Sequence, residues 1–197
     1  VGSSPQKSMS TSKANMDFCI IGCGRLGISL AVFLSKQGYL PRAFSSKSLS
    51  SARKARDFVG RGDVFEDPVE AAQSSSIVFI TTPDGVIESV CEMMAEKKGF
   101  NENAFVYHLS GALSSSILAS AKTNGANVGS IHPLQAFAPY EEGQESPFKG
   151  INISIEGDAP AIDLGKEIVN ALKANSFTIR TDAKTLYHAS AVVASNY

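Results

Sequence analysis

Gly22-Cys23-Gly24-Arg25-Leu26-Gly27 is the stretch whose residue types and spacing most directly imply chemistry. The apolar run Met16 to Ile21 leads into it, and apolar residues at Leu26, Leu30, Phe33 and Leu34 follow at helical spacing. Between a strand and a helix, a GxGxxG loop grips a diphosphate. The first glycine permits the tight turn, the second lets the backbone approach the pyrophosphate, and the third lets the helix pack on the strand. Free N–H groups and the positive end of the helix dipole then hold the anion. Gly22, Gly24, Arg25, Leu26 and Gly27 are therefore expected to contact a dinucleotide. Cys23 reads as a small residue lining the loop, with a redox-sensitive thiol as the alternative.

The second strand bears on which dinucleotide is bound. An acid about twenty residues beyond the glycines would bind the ribose 2′-hydroxyl of NAD. Here the strand runs out through Phe44 into Ser45-Ser46-Lys47-Ser48, with Arg53 beyond and no acid. Hydroxyls and cations suit a 2′-phosphate, so NADP(H) is expected over NAD(H), through Ser45, Ser46 and Lys47. The bland alternative is a solvated helix start. The missing acid also weakens a methyltransferase reading. A second GxG, Gly60-Arg61-Gly62, lacks the strand-to-helix setting.

Three further strand ends carry polar groups. Thr81-Thr82-Pro83 would flank the cofactor, His108-Leu109-Ser110-Gly111 ends the next strand, and His132-Pro133 the one after. In a doubly wound sheet such ends meet in one crevice, which makes His108, Ser110 and His132 pocket candidates. Hydride transfer to a carbonyl needs a proton donor, a role that His or Lys fills near neutral pH. Buried histidines at turns are the structural alternative. Lys184, His188 and Asn196 fall within one broad face of a final helix that could close over the nicotinamide, or could simply be its solvated side.

These groups need a scaffold. Strand and helix patterns alternate along the chain, which predicts an α/β fold: a doubly wound, mostly parallel Rossmann-type sheet followed by the start of a C-terminal helical domain. Expected strands include Leu40 to Phe44, Ser76 to Thr82, Ala104 to His108, Asn127 to Ile131, Ile151 to Ile155 and Ser176 to Thr181. Asp84 is expected to cap a helix carrying Ile87, Val90, Cys91 and Met94 on one face, and Ser114 to Thr123 reads as another helix. Gln135 to Gly150, rich in Pro, Gly and Glu, reads as a long loop of the kind that covers sites. The domains expected are a disordered leader over 1–15, a dinucleotide-binding domain over 16–182, and over 183–197 the beginning of a helical dimerisation or substrate domain whose pattern stops without a cap.

With 197 residues and a net charge of −1, the chain holds a full core and shows no basic stripe. That argues against nucleic acid as a partner. No apolar run reaches membrane-spanning length. Three cysteines without CxxC or Cys/His ligand spacing argue against a structural metal and fit a reducing, cytoplasm-like compartment.

The segments FCIIGCGRLG, FITTPDGVI, YHLSGAL, SIHPLQAF and LYHASAVVASNY resemble bacterial proteins with a Rossmann-like domain and a small C-terminal helical domain of formerly unknown function, in the 6-phosphogluconate dehydrogenase-like superfamily. The resemblance covers Met16 to Tyr197. It implies NADPH-dependent reduction of a small oxo acid, as in ketopantoate reductases or β-hydroxyacid dehydrogenases, or of an imine of the pyrroline-carboxylate type, and it implies a homodimer. A Ser-Gly pair at a strand end contacts the substrate carboxylate in such relatives, and Ser110-Gly111 matches in kind, with His108 beside it. Relatives often carry a catalytic Lys with Asn four residues later; here Lys184 is followed at that distance by His188, and Asn comes only at 196. His132, Lys184, His188 and Asn196 are the resulting candidates for proton transfer. A non-catalytic dinucleotide-binding or sensor module is the alternative from a different class.

Overall fold

The computed structural model of the chain describes residues 16–195; the expected leader and Asn196 lie outside the described residues. Apolar runs bounded by glycine, serine and proline become strands, and the amphipathic stretches between them become helices that cover both faces of one sheet. The first half comprises β1 (Asp17–Ile21), α1 (Arg25–Lys36), β2 (Leu40–Ser45), α2 (Leu49–Val59), β3 (Asp63–Phe65), α3 (Pro68–Gln73), β4 (Ile77–Ile80) and α4 (Asp84–Glu96). The second comprises β5 (Phe105–His108), α5 (Ala119–Thr123), β6 (Asn127–Pro133), β7 (Asn152–Gly157), α6 (Ala159–Ala171), β8 (Asn175–Thr178) and α7 (Lys184–Ser195).

The eight strands lie in the order β3-β2-β1-β4-β5-β6-β7-β8. Pairing is parallel from β3 through β6 and again between β7 and β8, whereas β6 and β7 are antiparallel. The expected mostly parallel doubly wound sheet is therefore present, with one reversal. The strand order turns back between β1 and β4, so the ligand crevice of such a sheet lies at their carboxyl ends.

The central strands are buried on both faces, which is why they read as unbroken apolar runs. One face, with Ile20, Phe79, Tyr107, Ile131, Ile153 and Ile155, packs on α1 and α6. The other, with Cys19, Val78, Val106 and Val128, packs on α3, α4 and α5. Side chains alternate along a strand, so Ser130 and His132 share the face of Val128, and Ser154 and Glu156 lie opposite them across the β6–β7 pair.

Three local expectations change. Asp84 does not cap α4; Pro83 stands at the cap and Asp84 is the first helical residue, its carboxylate accepting a hydrogen bond from Ser110 Oγ at 2.8 Å. The expected helix from Ser114 divides into a 3-10 turn over Ser115–Leu118 and then α5, because Ser115 turns both its N–H and its hydroxyl to Glu156. The segment between β6 and β7 is anchored in the core. Phe148 and Tyr140 are buried and meet Phe33 of α1 edge-on, and Tyr140 also meets Phe58 of α2.

Candidate functional site

The glycine loop has the geometry its spacing predicts. Gly22 has φ +103°, and a Cβ there would stand 2.8 Å from Thr82 N. A Cβ on Gly27 would reach within 2.5 Å of Gly22 O and 2.6 Å of Thr81 Oγ1, so α1 can approach β1 and β4 only with glycine there. Gly24, by contrast, faces open space. Its side offers no cap to α1, and no acid lies in the first turn. The opening N–H groups of a helix have no acceptor within it, so the amides of Arg25 and Leu26 are available to a diphosphate. Cys23 N and Gly24 N are engaged, by Ser46 Oγ at 3.4 Å and Gly22 O at 3.0 Å.

Thr81 supports the loop rather than merely flanking it: its hydroxyl donates to Gly22 O at 2.5 Å. Thr82 Oγ1 is buried without a partner. Ser45, at the end of β2, is buried and its carbonyl accepts from Gly22 N at 2.8 Å. Ser46 and the exposed Lys47 follow. Burial pushes the Cys23 thiol up to about 12, which makes it an inert loop lining. A cavity of about 320 Å³, lined by Leu49, Arg53, Arg56, Val64 and Glu66, opens beside the start of α2.

The second cluster forms where β5, β6 and β7 meet the start of α7. Lys184 is 1% exposed, and its Nζ donates to Ser130 Oγ at 2.8 Å. Burial draws this ammonium down from 10.5 to about 8, against the opposing pull of Glu156. The shift corresponds to about 3 kcal/mol of disfavour for the charged form, which leaves an amine poised close to neutral pH. Burial, with the Lys184 charge second, draws His108 down to about 3 and His132 to about 4. Both imidazoles are thus uncharged near neutrality, and of these three groups Lys184 carries the charge.

His132 and His188 approach with ring centroids 5.8 Å apart, and His132 meets Tyr187 at 6.3 Å. Gly111 is pressed against both imidazoles: a Cβ there would lie 2.5 Å from His132 Nε2 and 2.6 Å from His188 Nδ1. Ser110 N donates to His108 Nδ1 at 3.2 Å, placing the proton of the neutral ring on Nε2. His132 Nδ1 and His188 Nδ1 are buried without hydrogen-bond partners, while His108 lies beside the Ser114 backbone and Tyr187 OH beside Ser154 Oγ. One such group costs about 1–3 kcal/mol; two in adjoining imidazoles mark a place for a polar ligand. Ser110 Oγ is already committed, donating to Asp84 and accepting from Ala112 N and Leu113 N.

The structure therefore brings His108, Gly111, His132, Lys184 and His188 together, and gathers Gly22, Gly24, Arg25, Leu26, Gly27, Ser45, Ser46, Thr81 and Thr82 at the ends of β1, β2 and β4. Sequence reasoning missed Ser130, Ser154, Glu156 and Tyr187. The signal was present in SIHP and SIEG, where polar residues occupy alternate positions of strands covered on both faces. Among the described residues no cluster of three or more His, Cys, Asp or Glu could hold a metal, and no helix is long and apolar enough to cross a membrane.

Residues 3–133 match the Rossmann-like domain family. The chain belongs to that family. Residues 151–197 of this Rossmann-like chain match a domain of unknown function, DUF2520, and that match begins at β7, inside the continuous sheet. Among solved structures, the chain is similar to a Bacteroides fragilis protein described as an NADP oxidoreductase, with 22% identity, TM-score 0.79, and coverage of 94% of this chain and 68% of that one. A Thermotoga maritima protein shares 27% identity at TM-score 0.68, with 91% and 63% covered. A Mycobacterium tuberculosis 3-hydroxyisobutyrate dehydrogenase shares 13% at TM-score 0.68, with 91% and 58% covered. The chain thus spans about two thirds of the first two structures' length. No curated protein matches the chain.

Proposed function

We propose that this Rossmann-like chain is part of an NADP(H)-dependent oxidoreductase that reduces a small, carboxylate-bearing oxo acid. The observation that carries the reading is the buried Lys184, with its lowered proton affinity, beside neutral imidazoles at the ends of β5 and β6. A purely structural lysine gains nothing from such a place, because desolvation opposes its charge. A proton donor near neutral pH needs that balance.

The residues present fit a dinucleotide. Gly24 leaves room for a diphosphate, and α1 opens without a cap or an acid. Ser46, Lys47 and Arg53 supply hydroxyl and cationic partners for a 2′-phosphate, and the cavity beside α2 adds space lined by Arg53 and Arg56. When bound, NADPH supplies a hydride. Lys184 then gives its Nζ proton to the oxygen on which negative charge develops, as the only buried cation among the described residues. His108, His132, His188 and Tyr187 offer donors and acceptors that orient an oxygen-rich substrate, and the packed ends of β5, β6 and α7 exclude water. The fold is shared with a 3-hydroxyisobutyrate dehydrogenase, a pyrroline-5-carboxylate reductase and an imine reductase alike, so the likeness supports dinucleotide-dependent oxidoreduction and leaves the substrate class to the test.

The test is NADPH oxidation followed at 340 nm on a panel of small oxo acids, ketopantoate first, with a cyclic imine acid in parallel. Oxidation that depends on an added oxo acid is expected. Turnover only with the imine would replace the substrate class, and dinucleotide binding without turnover on either would leave a non-catalytic module.

A further inference from the structure

Glu156 is fully buried, and no part of the glycine loop or the imidazole cluster requires an acid there. A buried carboxylate without a compensating cation costs several kcal/mol. Both Glu156 oxygens are fixed: Oε1 accepts from Ser115 N and Oε2 from Ser115 Oγ, each at 2.7 Å. Across the β6–β7 pair its partner is Ser130, whose hydroxyl accepts from Lys184 Nζ. Ser130 is thus the lateral neighbour of Glu156 and the hydrogen-bond seat of Lys184.

The other groups that face Lys184 do not favour its charge. His108 comes from β5, His132 from β6, and His188 with Tyr187 from α7 itself. The positive charge of Lys184 opposes protonation of His108 and His132, and Asp84 is occupied by Ser110 one strand further away. Glu156 alone acts on Lys184 to favour the ammonium, against burial.

We propose that Glu156 is a positioning residue: clamped by Ser115, its carboxylate keeps the buried Lys184 seated on Ser130 as an ammonium. The inference rests on the reading of Lys184 as proton donor. It explains why the 3-10 turn at Ser115 interrupts the expected helix, since that turn delivers the clamp.

Isotope-edited NMR of the lysine Cε and Nζ in the dinucleotide-free protein, with the signal assigned by Lys184→Met, tests this directly. The wild-type midpoint is expected near the value of about 8 set by burial and Glu156. Glu156→Gln should lower it by about one unit or more, and the acid-base limb of the kcat/KM profile should move by the same amount. Ser115→Ala keeps the charge and the N–H bond and loses only the hydroxyl bond, so it should move the midpoint less than Glu156→Gln does, and a larger shift overturns the proposal. An unmoved midpoint in folded Glu156→Gln overturns the proposal. If that variant does not fold, the double variant Glu156→Gln/Lys184→Met is compared with Lys184→Met in denaturant. The double should be the more stable, because it no longer buries a lone carboxylate; a double no more stable overturns the proposal. The titration needs neither dinucleotide nor substrate, so a protein that oxidises no NADPH refutes the reductase reading alone.

Discussion

Gly111 and His132 are in such close apposition that a Cβ on the glycine would lie 2.5 Å from both Cε1 and Nε2 of the imidazole. The pair ties the turn after β5 to the end of β6, and His188 closes the same contact from α7. Gly111→Ala must displace both rings. It should lower kcat by about ten-fold or more and cost about 1–3 kcal/mol of stability by overpacking, while NADPH affinity stays within about two-fold. Steady-state kinetics, denaturant melts and isothermal titration separate the three effects.

Lys184→Met removes the proposed proton donor and keeps the aliphatic stem. Turnover should fall by about 10²–10⁴-fold, with the dinucleotide Kd nearly unchanged because the glycine loop lies at other strand ends. His132→Ala should follow the same pattern more weakly. Equal loss of turnover and affinity would remove Lys184 from proton transfer, and His132 from substrate orientation.

Lys47→Ala and Arg53→Ala test the 2′-phosphate. Each should weaken NADPH by about ten-fold relative to NADH, the cost of one charge-assisted contact. Isothermal titration with both dinucleotides reads the ratio. A parallel loss for NADH would move these cations away from the 2′ position.

His108 and His132 make the fold acid-sensitive. Both have folded-state proton affinities lowered from 6.5, to about 3 and about 4 respectively. The unfolded chain therefore takes up protons first as pH falls. Their contribution is complete above about 6.5 and is lost as pH drops towards 4 and below. Thermal melts from pH 7 to pH 4 should show a falling Tm, and His132→Gln should flatten part of that fall.

The glycine loop was legible in the sequence because its strand, turn and helix are consecutive. Strand, glycines and helix lie within twenty residues; Gly22 and Gly27 answer close contacts within the loop and with Thr81 and Thr82 just beyond β4, and Gly24 faces open space. Lys184 and His188 were legible because helical spacing puts them on one face. Ser130 and Glu156 were not, because their roles arise from contacts 54 and 41 residues apart in the chain. They also depend on the reversal of β7, which no local pattern encodes. The helix expected from Ser114 failed for the same reason: a distant carboxylate outcompetes the first helical turn for Ser115.

That reversal has a mechanical corollary. A strand returning alongside its predecessor needs no crossover helix, so the connection from β6 to β7 is free to travel. It drives Tyr140 and Phe148 against Phe33, two turns along the helix that opens at the glycines. The stiffness of the glycine-loop end is therefore underwritten by a remote aromatic wedge. A proteolytic nick or an inserted residue in that connection, harmless in an ordinary surface loop, would slacken the glycine loop without altering one of its own atoms.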